Sequence, residues 1–311
     1  MSIVASQVGI DVASQELVTS IDEGKPFCTP NTQEGAEQIA RSLPAGCTVH
    51  LESTGGYERI ALRVLRNAGF DVRIHNPLRA RRVAQGTGSG AKTDPIDAVM
   101  LSEKGKLLPL HEPKAAERRD LADFSRAIDT IKETIAGYKK RRGMPELDQA
   151  AKDAYDAVIN VLQAQAKQLE KSFVKRVKNS PYNEQYKLAI SVRCVGPVAA
   201  RVCVCELPED FKLKPTNHST SYAGIAPIEN SSGKRKKAHI GRGNARLKGG
   251  IYMCAVTALR DEPWARTLYT RLIAQGRTHD QAIVPIMRRI LVRVVCVLKR
   301  GSPWQAEPPK G

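Results

Sequence analysis

The sequence predicts an α/β domain at the N-terminus, a long helical spacer and a mainly α-helical C-terminal domain. Three observations lead to this order. Short apolar β-type runs come first and then alternate with helical patterns, which is typical of an α/β domain with a mixed sheet. From about residue 112 to 178 glycine almost disappears, and beyond this stretch apolar residues recur mostly at helical spacing. We therefore place the domains at 1–110, 111–180 and 181–311.

The overall charge points to a polyanionic partner. The chain has 311 residues, a formal net charge of +17 at pH 7 and a pI near 9.7. A positive field of this size suits nucleic acid first and an anionic membrane surface second. No apolar run approaches the roughly 20 residues that span a bilayer, and no secretory signal pattern opens the chain. We therefore expect no membrane partner.

The seven cysteines predict a reducing compartment. They are odd in number, scattered, and placed mostly in apolar runs such as Val202-Cys203-Val204-Cys205. This pattern suits buried thiols in a cytoplasm and does not suit a disulfide framework. No Cys-x-x-Cys pair indicates a zinc site.

The first elements are predicted to be strands. Residues 8–12 are a short apolar run interrupted by one carboxylate, residues 16–21 alternate like a second strand, and residues 25–30 are flanked by turn residues. Asn31 and Thr32 then open a helical pattern that continues to Leu43.

The next elements alternate between strand and helix. Residues 47–52 are a strand that ends on a carboxylate, residues 53–56 form a turn, and residues 57–68 return as a helix. Residues 70–74 are a further strand. This alternation places the N-terminal domain in the α/β class.

Four carboxylates of the N-terminal domain form a candidate metal site. Asp11 lies in a predicted central strand, Glu52 ends another strand, and Asp94 and Asp97 open a helix with Pro95 at its first position. Carboxylates at strand ends of an α/β sheet converge on one crevice, and hard oxygen ligands select Mg²⁺ or Mn²⁺. The alternatives are a turn at Asp11, a solvated Glu52 and a surface helix capped by Asp94.

Arginines precede the helix of the acidic pair. Arg79, Arg81 and Arg82 lie between the Asn76-Pro77 corner and a glycine-rich stretch at residues 86–90, which is predicted to be a flexible loop. A basic, mobile segment beside a metal site suits a phosphate backbone that enters and leaves. A solvated linker is the alternative.

The middle of the chain predicts two long helices. Apolar residues recur at helical spacing on both sides of a break at Gly143-Met144-Pro145. Two such helices form a hairpin or a coiled-coil arm, which is a usual device for dimerisation.

The C-terminal third begins with a helix, a turn at Val195-Gly196-Pro197 and another helix. This order resembles a helix–hairpin–helix, which presents backbone N–H groups to a phosphate, although a plain helix connection is the alternative. Residues 249–259 and a segment within 271–298 are further predicted helices.

A basic stretch between these helices is a candidate nucleic-acid surface. No acidic residue occurs between Asn230 and Arg260. The cations assigned to nucleic-acid binding here are Lys234, Arg235, Lys236, Lys237, Arg242, Arg246 and Lys248. Residue chemistry alone favours a turn at Ser231-Ser232-Gly233 before a basic strand, because a serine hydroxyl needs activation to be a nucleophile.

Both ends of the chain resemble one known family. The N-terminal segments that carry the resemblance are Gly9-Ile10-Asp11-Val12, Leu51-Glu52-Ser53-Thr54-Gly55-Gly56-Tyr57 and Lys92-Thr93-Asp94-x-x-Asp97-Ala98. The C-terminal segments are Tyr222-x-Gly224-Ile225-x-Pro227, Ser231-Ser232-Gly233-Lys234, Ile240-Gly241-x-Gly243-Asn244 and Arg246. In this order they resemble insertion-sequence transposases of the IS110/IS1111 type.

The resemblance implies a fold, an activity and partners. The fold is a RuvC-like (RNase H-like) DEDD domain followed by a serine transposase domain. The activity is DNA recombination that moves an insertion sequence, with Mg²⁺ or Mn²⁺ on Asp11, Glu52, Asp94 and Asp97 of a partner subunit. Ser232 is the first choice for the nucleophile and Ser231 the alternative. The implied partners are element and target DNA, an element-encoded guide RNA as in some members, and further copies in a dimer or tetramer at the bacterial nucleoid.

Two other functions fit the same residues. A RuvC-like nuclease would hydrolyse junction DNA with metal-activated water and no covalent link. A non-catalytic nucleic-acid-binding protein would use the four acids structurally.

Overall fold

The computed structural model describes residues 5–86, 93–108, 115–232 and 235–305, and for strand residues 228–232 and 235–238 it describes the backbone alone. The chain divides into two compact units, Met1–Pro113 and Lys114–Gly311. The helical spacer belongs to the second unit, and its separation as a third domain stays a prediction.

A mixed five-stranded sheet forms the centre of the first unit. Its strands are β1 (Gln7–Val12), β2 (Glu16–Ile21), β3 (Phe27–Pro30), β4 (Thr48–Glu52) and β5 (Asp71–His75). Their spatial order is β3-β2-β1-β4-β5. Strand β1 pairs antiparallel with β2 and parallel with β4, and β5 continues the parallel part. The predicted mixed sheet is confirmed.

Helices cover both faces of this sheet. The helices of the first unit are α1 (Gln33–Ser42), α2 (Arg59–Asn67), α3 (Pro77–Gly86) and α4 (Asp94–Lys104). Ile10, Leu51 and the apolar faces of α1 and α2 share one buried core. Because successive strand residues point to opposite faces, Gly9 and Asp11 belong to the other face, which α4 covers. The sheet with its flanking helices is consistent with a RuvC-like fold.

Two predictions about this unit were wrong in detail. Arg79, Arg81 and Arg82 lie on α3 and not in a loop, because the Asn76 side chain accepts a hydrogen bond from Leu78 N at 3.0 Å and starts the helix. The predicted glycine-rich loop lies, apart from the last residue of α3, outside the described residues.

The cap of α4 was also assigned one residue too late. Thr93 has an extended backbone, and its carbonyl accepts the Asp97 N–H at 2.9 Å. Thr93 is therefore the N-cap, Asp94 is the first helical residue and Pro95 the second. Proline tolerates this position because the first N–H groups of a helix lack helical partners.

Two long helices open the second unit as an antiparallel hairpin. They are α5 (Ala116–Arg142) and α6 (Gln149–Lys178). Arg142 pairs with Asp156 near the connection, and Lys132 pairs with Glu170 further along. The residue number decreases along α5, from Arg142 to Lys132, while that of its partner increases along α6, from Asp156 to Glu170. The two helices therefore run in opposite directions. The predicted hairpin is confirmed, and supercoiling as a coiled coil stays a prediction.

The rest of the second unit is mainly helical. Its helices are α7 (Asn183–Ser191), α8 (Pro197–Glu206), α9 (Thr216–Tyr222), α10 (Ala245–Asp261), α11 (Pro263–Ala274) and α12 (His279–Arg300). The predicted helices at 249–259 and within 271–298 correspond to α10 and α12. Pro197 opens α8 as predicted, whereas a DNA-binding helix–hairpin–helix stays a prediction.

A two-stranded hairpin interrupts these helices. It consists of β6 (Pro227–Ser232) and β7 (Arg235–Ile240), which pair antiparallel. All seven cysteines are free. Among the described helices, none combines the length and apolar character needed to cross a membrane.

Candidate functional site

Asp11 and Glu52 stand next to each other at one edge of the sheet. Strands β1 and β4 are parallel, with Ile10 directly opposite Leu51. Asp11 and Glu52 are the next residues on each strand, and neighbouring strands lie about 4.8 Å apart. Since Ile10 and Leu51 are buried on the other face, both acids belong to the face that α4 covers. The register therefore places two carboxylates side by side.

Helix α4 crosses this face in close contact with β1 because Gly9 has no side chain. A Cβ at Gly9 would lie 2.0 Å from Ala98 O and 2.4 Å from Ser102 N. The Ser102 hydroxyl accepts a hydrogen bond from Glu23 N at 3.2 Å, and Glu23 follows the end of β2 that pairs with the start of β1. The C-terminal half of α4 therefore lies over the start of β1.

The N-terminal turn of α4 consequently points toward the end of β1. From Ala98 back to Asp94 the helix rises about 6 Å, and from Gly9 to Asp11 the strand advances about 7 Å. We therefore expect Asp94 and Asp97 at the same end of the sheet as Asp11 and Glu52. That the four acids form one site stays a prediction.

The donor chemistry of this edge fits a hard divalent cation, because carboxylate oxygens are the ligands that Mg²⁺ prefers. Within the described ranges, however, no three His, Cys, Asp or Glu side chains are grouped closely enough to hold one metal ion. This end of the sheet therefore supplies suitable ligand types, but the described side chains do not form a complete coordination site.

A buried histidine pair under α4 was missed in the sequence analysis. His50 Nδ1 lies 2.8 Å from His75 Nε2, and His50 Nε2 lies 2.9 Å from Gln7 Oε1. The amide oxygen only accepts, so His50 donates from Nε2 and accepts from His75. Burial, with help from neighbouring His75, lowers the pKa of His50 to about 4. His50 is therefore neutral at neutral pH, and its ring lies against Gly105, where an added Cβ would meet it at 2.3 Å.

Ser231 and Ser232 end strand β6 in the second unit. Ser231 is paired with Lys236 and Ser232 with Arg235 across the hairpin. The predicted basic strand is confirmed as β7, whereas the turn predicted at Ser231 and Ser232 is wrong, because both serines are paired residues of β6. Gly233 and Lys234 lie outside the described residues. The register places both serines opposite the basic strand.

Glycines bring the two ends of this hairpin together. Gly224 and Gly243 both have positive φ, and a Cβ at Gly243 would lie 2.1 Å from Gly224 N. Asn244 N donates to Tyr222 O at 2.8 Å, and the Asn244 side chain accepts from Leu247 N at 2.9 Å to cap α10. We call Tyr222, Gly224, Gly243 and Asn244 the hairpin base. Several residues of the C-terminal motif thus have a structural role here.

Arg246 is engaged by protein carboxylates. Its Nη2 lies 2.6 Å from Asp129 Oδ2 and its Nε 3.3 Å from Glu206 Oε1. Arg201 occupies the other oxygen of Asp129 at 2.6 Å. Arg246 was predicted to bind nucleic acid, but in this structure its charge is already used in ion pairs.

The remaining basic residues assigned to nucleic acid differ in accessibility. Arg79, Arg81, Arg82 and Arg242 are exposed, and Lys248 is half-buried. Arg235, Lys236 and Lys237 lie on β7, where the structure describes only the backbone. Their role in binding stays a prediction.

Two families of known proteins match separate parts of the chain. Residues 8–142 match the DEDD transposase family of IS110, and residues 186–270 match the transposase IS116/IS110/IS902 family. The first match contains the four acids, and the second contains both serines and the hairpin base. The chain belongs to the IS110 family of transposases.

The transposase is similar to relatives along nearly its whole length. It is 26% identical to the pilin gene-inverting protein of Moraxella bovis in an alignment of 314 positions, which covers 96% of this chain and 97% of that protein. The pilin gene-inverting protein of Moraxella lacunata is similar to the same extent. The insertion element IS110 uncharacterized 43.6 kDa protein of Streptomyces coelicolor is 31% identical over 119 residues, covering 38% of this chain and 29% of that protein. As a transposase, the chain is an enzyme that acts on DNA.

Proposed function

We propose that this transposase cuts and rejoins DNA through a covalent link to Ser232, with Ser231 as the alternative nucleophile. The acids of the first unit act on the same phosphate, contributed by a partner subunit. The observation that carries the proposal is the register of Asp11 beside Glu52, under the helix that begins with Asp94. Carboxylates that converge at one end of a sheet offer the oxygen ligands that Mg²⁺ and Mn²⁺ prefer.

The reaction is a transesterification. The serine Oγ attacks the phosphorus, an Oγ–P bond forms, and the P–O bond to one sugar breaks. The proton lost by the serine is balanced by the proton gained by the leaving sugar oxygen. Because one phosphodiester replaces another, the later attack of a sugar hydroxyl on the phosphoserine rejoins the strand without an external energy source.

Mg²⁺ or Mn²⁺ bound by Asp11, Glu52, Asp94 and Asp97 would polarise the scissile phosphate and stabilise the charge of the leaving oxygen. Arg235 on β7, together with Lys234, would neutralise the non-bridging oxygens. The exposed arginines of α3 would hold the phosphate backbone beside the acids.

The proposed partners follow from this chemistry. DNA of the element ends and of the target is the substrate, which associates the protein with the bacterial nucleoid in the cytoplasm. Sharing a site between subunits requires at least a dimer. Purification from cells, with sequencing of the bound nucleic acid, tests for an element-encoded guide RNA. The names of the Moraxella relatives, which denote gene inversion, support recombination over simple cleavage.

Asp11→Asn is expected to lower the rate of DNA cleavage about 1000-fold, because one ligand of the catalytic cation is lost. Strand cleavage of labelled element ends with Mg²⁺ measures this effect. Asp71→Asn is the matched control, since Asp71 is an exposed strand aspartate at the start of β5, the opposite edge of the sheet. Its cleavage rate is expected to equal that of the wild type.

The two alternative functions predict different results. A non-catalytic binding protein would show no cleavage in the wild type and identical DNA binding in both variants. A hydrolytic nuclease would lose cleavage in Asp11→Asn but would form no covalent adduct in the wild type. A protein–DNA adduct that resists denaturation in the wild type excludes both.

A further inference from the structure

We infer that Asp129 on α5 is a positioning residue that fixes the serine hairpin β6–β7 through Arg246. The inference rests on the proposed function, because it concerns how the nucleophile is placed. It also gives Arg246 a role different from phosphate binding.

The first link joins α5 to α10. Arg246 Nη2 lies 2.6 Å from Asp129 Oδ2 and donates to the Ser125 hydroxyl at 2.9 Å. Asp129 and Ser125 are four residues apart and so lie on one face of α5. Arg246 is in the first turn of α10, directly after the hairpin base. One side chain thus connects the long helix to the segment that ends the hairpin.

The second link holds the Asp129 carboxylate through its other oxygen. Arg201 on α8 donates from Nη2 to Asp129 Oδ1 at 2.6 Å and from Nη1 to the Ser125 carbonyl at 2.7 Å. The Arg201 side chain is only 4% exposed. Each carboxylate oxygen therefore has its own arginine, and one of these arginines is anchored in the core.

The third link reaches the hairpin itself. Glu206 on α8 accepts from Asn244 Nδ2 at 3.2 Å and pairs with Arg246 Nε at 3.3 Å. Asn244 also donates its backbone N–H to Tyr222 O. Pro227 and Ile240 are the first paired residues beyond this base. The network consequently reaches the end of the hairpin at which β6 begins and β7 ends.

The hairpin depends on this attachment for a physical reason. A two-stranded hairpin is marginally stable by itself, so the placement of Ser231 and Ser232 at its far end follows the orientation of its base. Glu206 Oε1 also lies 3.9 Å from Arg126 Nη2, and Arg126 pairs with Asp123 at 3.1 Å. The network therefore contains three arginines and three carboxylates, and their charges balance. Arg246 therefore has no surplus charge to offer a phosphate, which favours positioning over DNA binding.

Asp129→Asn tests the inference, because it keeps the shape of the side chain and removes the charge between the two arginines. The matched control is Asp156→Asn, which breaks the exposed ion pair with Arg142 on the same helical hairpin. Two measurements are made on the full chain: amide hydrogen exchange in residues 227–240 and the rate of covalent adduct formation on DNA. The DNA concentration giving half-maximal rate is recorded in the same assay.

Asp129→Asn is expected to speed amide exchange in the hairpin and to slow adduct formation about 100-fold, as for a misplaced reacting group. The half-maximal DNA concentration is expected to stay unchanged, because no phosphate contact is lost. Ser125→Ala, a milder change at the same contact, should shift exchange in the same direction. Asp156→Asn should behave as the wild type in both measurements.

Two results would overturn the inference. One is an amide exchange rate in the hairpin that equals the wild-type rate in both Asp129→Asn and Ser125→Ala, with both variants folded. The other is a higher DNA concentration at half-maximal rate with an unchanged maximal rate. This result would assign Arg246 and its partners to DNA binding. If the wild type forms no adduct, the serine mechanism fails, while the exchange comparison still tests the attachment of the hairpin.

Discussion

The Ser231→Ala/Ser232→Ala double variant is expected to bind element DNA like the wild type and to form no covalent adduct. Without an Oγ atom at either position no serine ester with the phosphate can form, so strand exchange stops at the uncut DNA. The change removes two small hydroxyl groups from strand ends and leaves the hairpin pairing intact, since the ladder uses backbone groups. Denaturing gel electrophoresis of labelled DNA measures the adduct.

The control for this variant is Ser221→Ala. Ser221 is exposed on α9, near the hairpin in sequence but outside it, and its variant should form the adduct at the wild-type rate. The single variants Ser231→Ala and Ser232→Ala then assign the nucleophile, which we expect to be Ser232. If the double variant still cuts DNA at the wild-type rate, the result favours hydrolysis by water and contradicts the serine mechanism.

Gly9→Ala is expected to destabilise the first unit by about 3 kcal/mol or more. The added Cβ would lie 2.0 Å from Ala98 O, so α4 would have to move away from the sheet by more than roughly 1 Å to restore normal contact. Such a loss is a large fraction of the 5–15 kcal/mol that typically stabilises a domain. Because α4 also carries Asp94 and Asp97, any folded fraction should lose DNA cleavage.

Urea unfolding followed by circular dichroism measures this loss, with Gly86→Ala as the control. Gly86 lies in the same unit at the end of α3, and a Cβ there would meet nothing within 4 Å. Its variant should unfold at the wild-type urea concentration or slightly above it. An unchanged midpoint for Gly9→Ala would mean that α4 does not depend on close contact with β1.

The sequence was informative about the candidate site where local pattern and chemistry coincide. Asp11 between Ile10 and Val12 is conspicuous because an acid inside an apolar strand needs a partner, and Glu52 ends a strand in the same way. The buried pair His50 and His75 escaped notice, although a histidine in each of two apolar strands is a usable signal. Arg201 and Glu206 likewise stand out as charges inside the apolar helix α8, and they were not recognised as partners.

Helix boundaries show the limit of local reasoning. Proline at position 95 suggested Asp94 as the cap, but the hydrogen bond from Asp97 N to Thr93 O starts the helix one residue earlier. The arginines after Asn76 were placed in a basic, mobile segment before the glycine-rich stretch, and no helix was predicted there. The Asn76 side chain decided otherwise by capping α3.

By itself, the sequence determined the α/β class of the first unit, the helical hairpin and the family motifs with their four acids and two serines. These features depend on periodicity, composition and residue identity, which are local properties of the chain. Only the tertiary structure decided that Asp11 and Glu52 are neighbours in register, that Gly9 admits α4, and that Arg246 is held by Asp129 and Glu206. Those contacts join residues 40 to 117 positions apart, and such pairings depend on how the elements pack, which no local pattern encodes.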